Sequence, residues 1–180
     1  MAFLGLFGGK RYERAGFEIY TEAVQAARDP AFYTSLQVPD TMDGRFDMVG
    51  LYVFLVIHRL REGGDKGKAL GQAVFDAMFS DMDFSLREIG VSDMRMGKKV
   101  KEMWEAFHGR SSAYASALMA GDTEALAAAI GRNVWRGQVE HGPAHTLAEI
   151  AMAQSRNLAT QPIEALLSGR IDFTPAEAAA

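Results

Sequence analysis

One apolar segment constrains the fold of this chain more than any other feature of the sequence. Within residues 46–61, every position of 48–57 except Gly50 is apolar. A helix that is apolar on all sides must be surrounded by other elements. The β-branched residues would also permit a buried strand, but no second segment offers a partner strand, so we predict a central helix. The segment is too short to cross a membrane, which requires about 20 apolar residues.

Helical periodicity and helix-breaking residues predict the elements around this central helix. Residues 12–28 carry apolar side chains at helical spacing, and Pro30 follows as a stop because proline cannot continue the hydrogen-bonding pattern. The other predicted helices are 66–80, 81–89, one that Ser92 or Asp93 caps and that ends at 107, 111–120, 122–134, one that starts near Pro143, and 162–169. We therefore predict an all-α protein, a single irregular helical bundle of about seven helices.

The two ends of the chain are predicted to lie outside the folded domain, which spans residues 12–173. Residues 174–180 predict a disordered tail, and residues 1–11 predict a flexible tail that is first apolar and then basic. An alternative for the first tail is a weak contact with a membrane surface. That contact would use the side chains of Phe3, Leu4, Leu6, Phe7, Lys10 and Arg11.

Composition excludes several kinds of chemistry. Of the 180 residues, 48% are apolar and 23% are charged, as in an ordinary globular domain. The chain contains no cysteine, which excludes disulfides, thiol nucleophiles and iron–sulfur ligation. The net charge of -4 argues against general binding to nucleic acids, which usually requires a basic surface. No nucleophile motif and no acid–base pair of carboxylates stands out, so we predict neither a catalytic residue nor a cofactor.

The histidines are the remaining candidates for a ligand site. His141, His145 and Glu149 stand four residues apart, a spacing that can bind a divalent metal on one helical face. A glycine and a proline separate the first two, which favours a polar helix start over a metal site. His58 lies at the end of the apolar helix, where a hydrogen-bonded structural histidine is the simpler interpretation. We therefore predict no metal site.

Charged residues divide into two adjacent segments. Residues 76–93 contain five acids and one base, whereas residues 94–110 contain five bases and two acids. Such segments are most often solvated surfaces. Methionines and aromatic residues run through both segments: Met78, Phe79, Met82, Phe84, Met94, Met96, Met103, Trp104 and Phe107. If several of these apolar side chains are exposed together, they form a surface that can adapt to a protein partner.

The same part of the sequence resembles a known family. Residues 73–93 (AVFDAMFSDMDFSLREIGVSD), 97–101 (GKKVK) and 107–110 (FHGR) are similar to the ubiquinol–cytochrome c chaperone family. Upstream, residues 43–47 (DGRFD) and 58–61 (HRLR) resemble the opening of the same family. Together the motifs fall in order over most of the chain, at family-like spacing. Phe84 departs from the family pattern, in which a polar or basic residue is common at this position.

The resemblance implies a non-enzymatic assembly chaperone for respiratory complex III. In mitochondria, members of the family bind newly made cytochrome b near the ribosome and work with a small partner protein. The sequence shows no long presequence of the mitochondrial kind, so we expect a bacterial form in the cytoplasm, peripheral at the inner membrane face. The partner-binding residues that the resemblance implies are Phe79, Asp81, Met82, Asp83, Arg87, Lys98, Lys99, Lys101, Phe107 and Arg110.

Two other functions stay open at this point. A helical enzyme or small-ligand-binding protein would use a pocket near His58, His141 or His145, and an enclosed polar pocket would support it. A nucleic-acid-binding or ribosome-binding module would use the basic residues 94–110, although two glutamates and the acidic total argue against it. The aspartates and arginines of the motifs could instead cap and bridge neighbouring helices.

Overall fold

The chain folds almost entirely into helices. The computed structural model describes residues 4–138 and 141–176, without the side chains of residues 4–11, Asp93 and His141. The helices are α1 (Leu4–Ala27), α2 (Pro30–Thr34), α3 (Met42–Leu60), α4 (Gly64–Glu88), α5 (Asp93–Ala120), α6 (Thr123–Val134), α7 (His141–Thr160) and α8 (Ile163–Leu167), and a 3-10 turn (Arg61–Gly63) joins α3 to α4. No strand occurs in these ranges, and the predicted all-α bundle is confirmed.

Helix α3 is the centre of the bundle. Its apolar side chains, among them Met48, Leu51 and Leu55, are buried on all sides of the helix, as the sequence predicts. The helix packs against α1, α4, α5, α6 and α7. Thr41 caps its N-terminus, because the Thr41 hydroxyl accepts a hydrogen bond from the backbone N–H of Gly44 at 3.1 Å. The central element therefore contacts every other long helix.

Two glycines allow α4 to pack closely against its neighbours. A Cβ atom on Gly16 of α1 would lie 2.7 Å from the Cβ of Ala73 on α4, closer than real Cβ atoms come. A Cβ on Gly67 would lie 1.9 Å from the carbonyl oxygen of Leu60, so a larger residue there would push α4 away from the end of α3. These contacts hold the first half of α4 against both α1 and α3.

Two of the predicted helix breaks are wrong. Helix α4 continues across the predicted break after residue 80, and α5 continues through Gly109. A glycine in a helix interior costs about 1 kcal/mol relative to alanine. The neighbours of Gly109 outweigh that cost, because Phe107 is buried and Arg110 pairs with a buried carboxylate of α3. As a result, α5 is a single long helix that connects the basic segment to the core.

Most of the other predicted boundaries agree with the structure. Gly121, with a φ of 63°, ends α5, and Asp122 caps α6 by accepting the backbone N–H of Ala125 at 2.9 Å. Helix α1 begins at Leu4, inside the segment that the sequence predicts as a tail. The side chains predicted to contact a membrane lie outside the described residues, so that contact and the flexibility of the segment stay predictions.

Residues 174–176 pack on the helical bundle, although the sequence predicts that the folded domain ends at residue 173. The backbone N–H of Thr174 donates to the side-chain oxygen of Gln154 at 3.2 Å. The backbone N–H of Ala176 donates to Asp29 at 3.2 Å, and Ala176 is buried. Ordered packing therefore extends to Ala176, and only residues 177–180 of the predicted tail lie outside the described residues.

Candidate partner-binding surface

The acidic and basic segments of the sequence form one helical hairpin. Residues 89–92 join the end of α4 to the start of α5, and Gly90 has a φ of 82°, which glycine adopts without strain. Ser92 precedes α5, and its carbonyl oxygen accepts the backbone N–H of Arg95 at 2.8 Å. We call residues 84–94 the hairpin tip.

The hairpin tip exposes large apolar side chains. Phe84 is 60% exposed, Ile89 is 61% exposed and Met94 is 96% exposed. The methionines and aromatic residues of the two charged segments thus divide into three groups: Met78, Met82, Met96 and Phe107 are buried, Phe79 and Met103 are half-buried, and Phe84, Met94 and Trp104 are exposed. Several large apolar side chains exposed in one short segment indicate a surface that another molecule covers.

A groove lies beside the hairpin, bordered by α1, α3, α4 and α5. Its volume is about 420 Å³. The apolar side chains that line it are Met42, Phe46, Val49, Met82, Leu86 and Met103. We call it the methionine groove. Because methionine side chains are flexible and polarisable, a groove lined by three of them can adapt to apolar groups of different shapes.

Charged side chains border the methionine groove. Arg28, Asp40, Arg45 and Asp81 all line it. Arg45 pairs with Asp40 at 2.5 Å, and this contact lowers the pKa of Asp40. The hydroxyl of Tyr20 donates to Asp81 at 2.7 Å, and burial together with this bond raises the pKa of the tyrosine. Tyr20 therefore stays protonated and holds Asp81 at the edge of the groove.

Three predicted residues share one face of α4. Phe79, Asp83 and Arg87 stand four residues apart, which places them on successive turns of the same face. The ring of Phe79 packs against that of Phe75, with 4.5 Å between centroids. The Nε of Arg87 donates to Asp83 at 2.8 Å. The side chains of Arg87 and Asp83 are 53% and 39% exposed, so this face can contact a partner.

The predicted lysines of α5 lie on the exposed side of the hairpin. Lys98 lies 3.8 Å from Glu102, and Lys101 lies 3.7 Å from Glu105. Lys99 is half-buried. Exposed ion pairs one helical turn apart are weak and are screened by salt. The lysines therefore remain accessible to a partner, although the glutamates reduce the positive charge of this face.

Arg110 has a structural environment that differs from those of the other predicted residues. Its guanidinium pairs with Asp47 of α3, whose side chain is 1% exposed, and lies over the ring of Phe46. On the other carboxylate oxygen of Asp47, Arg136 makes an ion contact at 2.8 Å. Burial raises the pKa of Asp47, and the two guanidinium groups counteract part of that rise. This cluster fixes α5 to α3, and Arg110 is too deeply buried to offer its charge to a partner.

The sequence that forms this surface matches a family model. The model described as ubiquinol–cytochrome C chaperone matches residues 34–173. The chain belongs to the ubiquinol–cytochrome c chaperone family. The part that matches this chaperone family contains the whole hairpin and most of the methionine groove. It does not include Tyr20 of α1 or Arg28, the residue after α1, which both line the groove.

Individual members of the family are named as assembly factors. The chain is similar to ubiquinol–cytochrome c reductase complex assembly factor 1 of Xenopus laevis, with 24% identity over 142 residues that cover 76% of this chain and 70% of the frog protein. The human protein of that name is 26% identical over 180 residues, which cover 96% of this chain and 60% of the human one. The chain therefore spans less than two thirds of its human relative.

A solved structure resembles the whole chain. The crystal structure of the Cbp3 homologue from Brucella abortus has a TM-score of 0.86 to this fold and 36% sequence identity. The similarity covers 97% of both chains. The match to this bacterial protein extends over almost the full length of both chains, so it includes α1.

The histidines that the sequence analysis singled out lie in different places of this chaperone fold. His145 contacts Glu124 at 3.1 Å and Glu149 at 3.4 Å, whereas the side chain of His141 lies outside the described residues. His58 lines a pocket between α3, α4 and α5. Within residues 4–138 and 141–176, no group of three or more histidines and carboxylates could hold a metal ion. Among the same residues, no helix is long and apolar enough to span a bilayer.

Several residues in and beneath this surface were not predicted from the sequence, among them Met42 and Leu86 of the groove. Ile89 is exposed at the hairpin tip, although the sequence analysis treats it only as a helix end. Asp47 and Arg136 form the buried cluster with Arg110. The one available signal was an acidic residue, Asp47, directly before the apolar run of 48–57, because a carboxylate at the entrance to a buried helix requires a partner.

Proposed function

We propose that this chain is a non-enzymatic assembly chaperone that binds newly made cytochrome b and supports the assembly of ubiquinol–cytochrome c reductase, respiratory complex III. Family membership supports the class of function, and the frog and human relatives are named as assembly factors of that complex. The observation that carries the proposal in this chain is the methionine groove with the exposed hairpin tip beside it.

The methionine groove suits the chemistry of such a client. A membrane protein that emerges into water exposes apolar helices, and one face of a helix can insert a few side chains into an apolar groove. A volume of about 420 Å³ fits a few side chains and not an entire helix. Met42, Met82 and Met103 come from three different helices, so the lining can adjust to several apolar sequences.

The hairpin tip and the lysines extend the proposed surface. Phe84, Ile89 and Met94 would cover apolar surface of the client outside the groove. The lysines of α5 would steer the encounter through negatively charged loops of the client, because long-range attraction raises the association rate more than the affinity. In this proposal, Phe107 and Arg110 support the surface from below and do not touch the client.

The proposal also covers a location and a second subunit. We place the protein in the cytoplasm of a bacterium, peripheral at the inner face of the inner membrane, where its client is inserted. A small partner subunit would share the client and would co-purify with the complex. A nucleic-acid-binding role is less well supported. Glu102 and Glu105 lie beside Lys98 and Lys101, and their carboxylates would repel the phosphates of RNA or DNA.

An affinity purification in a mild detergent tests the proposal. Tagged chain is mixed with cytochrome b that is synthesised in the presence of membranes, and we expect cytochrome b in the eluate. Charge reversal of the three lysines (Lys98→Glu, Lys99→Glu and Lys101→Glu) should lower that recovery at least fivefold. The matched control reverses three other exposed cations, Lys66, Arg156 and Arg170, and should keep the recovery.

The two possible failures of this experiment have different meanings. If the wild-type chain recovers no cytochrome b, even after crosslinking, the proposed client is wrong. If the triple lysine variant recovers as much cytochrome b as the control variant, the client stands but the lysines are not part of its surface.

A further inference from the structure

A second pocket lies between α3, α4 and α5. Its volume of about 380 Å³ is within the range of small-molecule sites, roughly 300–1,000 Å³. Its apolar lining consists of Phe54, Ile57, Phe75 and Phe107, with Gly67 and Gly71 of α4 between them. Because His58 and His108 also line it, we call it the histidine pocket. It is lined by different residues from those of the methionine groove.

Stacked rings form one wall of the histidine pocket. The rings of Trp104 and His108 lie 4.0 Å apart between centroids at an angle of 32°, and His108 lies 5.7 Å from Phe75. The Nδ1 of His108 is 3.0 Å from the carbonyl oxygen of Trp104, so this nitrogen carries the hydrogen and fixes the ring. Trp104 is 46% exposed, and a flat molecule could pack on this wall from the solvent side.

Two buried polar atoms on residues that line the histidine pocket have no protein partner. The Nδ1 of His58 and the Oγ of Ser111 are buried, and neither has a hydrogen-bond partner among the described residues. Buried polar atoms without partners are uncommon, and each needs an explanation. Burial, together with the nearby Arg61, lowers the pKa of His58, so its ring is neutral near pH 7. Both residues line the pocket, so a rotation of either side chain would let it form a hydrogen bond with a bound molecule.

The charged residues that line the pocket are cations. Arg61 and Lys68 line it, and both side chains are exposed at its edge. Lys68 has a weak contact with the exposed Asp65 at 3.5 Å, and no ion pair of Arg61 occurs within the described ranges. The nearby carboxylate of Glu62 is paired with Arg59. The pocket therefore combines an apolar aromatic interior with positive charge at its mouth.

We propose that the histidine pocket binds a small organic anion with a flat, apolar body. The body would pack against Trp104 and the phenylalanines, and Ser111 and His58 would supply hydrogen bonds. The carboxylate or phosphate of the ligand would interact with Arg61 and Lys68. This site lies beyond the proposed chaperone function and does not depend on it.

Binding of three naphthalene derivatives by calorimetry tests the chemistry of the pocket. The probes are 1-naphthoate, 1-naphthyl phosphate and the neutral 1-naphthalenemethanol, titrated into the full chain. We expect at least one anion to bind tenfold more tightly than the neutral compound. The double variant Arg61→Gln, Lys68→Gln should abolish that preference. The better of the two anions identifies whether the head group is a carboxylate or a phosphate.

A substitution that fills the pocket provides the second test. A Cβ on Gly71 would contact Ile57 at 3.8 Å, an ordinary distance, so Gly71→Leu should occupy the pocket without displacing α4. We expect it to weaken anion binding at least tenfold. The control is Gly97→Leu, since a Cβ there meets no atom within 4 Å. Urea unfolding of both variants verifies that they fold.

Three results would overturn the proposal. One is that no naphthalene anion binds, and another is that the neutral probe binds as tightly as both anions. The third is that folded Gly71→Leu binds as well as the wild type. Should Gly71→Leu unfold, the Arg61→Gln, Lys68→Gln variant decides the question, because its two altered side chains are exposed.

Discussion

The two halves of α5 belong to one helix but differ in how firmly they are held against the body. In residues 107–120, Phe107, Tyr114 and Ala117 are buried against the body. In residues 93–106, Met96 is buried and Lys99 and Met103 are half-buried, but Met94 and Trp104 are exposed and the ion pairs of Lys98 and Lys101 with Glu102 and Glu105 lie in solvent. The second half is fixed by packing and by the ion pair with Asp47, whereas the first half projects with the end of α4.

This difference shows that residues of the family motifs have different structural environments. Residues 97–101 and 107–110 both resemble the family, and the sequence alone assigned both to partner binding. The structure places the first motif on the exposed half of α5 and the second at its anchored half. A family motif can therefore support a surface from below, as residues 107–110 do, and need not itself contact a partner.

The largest expected effect concerns the ion-pair cluster. Arg110→Ala would leave the buried carboxylate of Asp47 with Arg136 alone, and breaking a buried ion pair costs about 3–5 kcal/mol. We expect that decrease in the free energy of unfolding, measured by urea denaturation. Lys101→Ala, on the exposed half, should change it by less than about 0.5 kcal/mol. Equal stability of the two variants would contradict the division of α5.

Substitution of two nearby aromatic residues sharpens the comparison. Phe107→Ala should destabilise the fold by about 3 kcal/mol, because it leaves a cavity in the core. Trp104→Ala removes a larger side chain, but one that is 46% exposed, so we expect a loss below about 1 kcal/mol. The midpoints of urea unfolding measure both effects, and the boundary between the two halves is misplaced if the order is reversed.

A pH dependence tests how well His58 of α3 is buried where it faces the anchored half of α5. His58 lines the same pocket as Phe107. Burial lowers the pKa of His58 in the folded chain, so the unfolded chain takes up a proton at higher pH. The corresponding stability is fully present above the ordinary histidine pKa of about 6.5 and is lost as the pH falls below it. His58→Gln should therefore lose less stability than the wild type between pH 8 and pH 5.5. Parallel curves for the two proteins would show that burial does not affect this histidine.

The smallest expected effect on stability concerns the hairpin tip. Phe84→Ser and Met94→Ser alter exposed side chains, so together they should change the free energy of unfolding by less than about 1 kcal/mol. If the tip binds the client, the same double variant should recover at least fivefold less cytochrome b. A loss of stability comparable to that of Arg110→Ala would show that the hairpin tip stabilises the fold, which would contradict its assignment as an exposed binding surface.

Local patterns predicted most of the fold. The apolar run of 48–57 predicted a buried central helix, and Gly121 and Asp122 marked the end of α5 and the start of α6. The predicted helix break at Gly109 is wrong. The low helix propensity of glycine can be read from the local sequence, whereas the packing that compensates for it involves residues far along the chain. Helix propensity is a weak guide where tertiary contacts of this kind decide.

The site could be predicted only in part, for the same reason. The sequence indicated which segments carry charge and methionine, but it could not tell Met82 at the groove from Met94 at the tip, since both fit helical spacing. Asp47 and Arg110 stand 63 residues apart, so no local pattern links them. Which side chains are exposed follows from how the helices are arranged around α3, and that arrangement is visible only in the structure.

Site-specific photocrosslinking to newly made cytochrome b tests the central claim most directly. A benzophenone side chain is placed at position 84 or 94 of the hairpin tip, at position 42 of the methionine groove, or at position 128, which is exposed on α6. The account predicts crosslinks to cytochrome b from the tip and the groove and none from α6. Crosslinks from position 128 alone, or equal yields from all four positions, would contradict it.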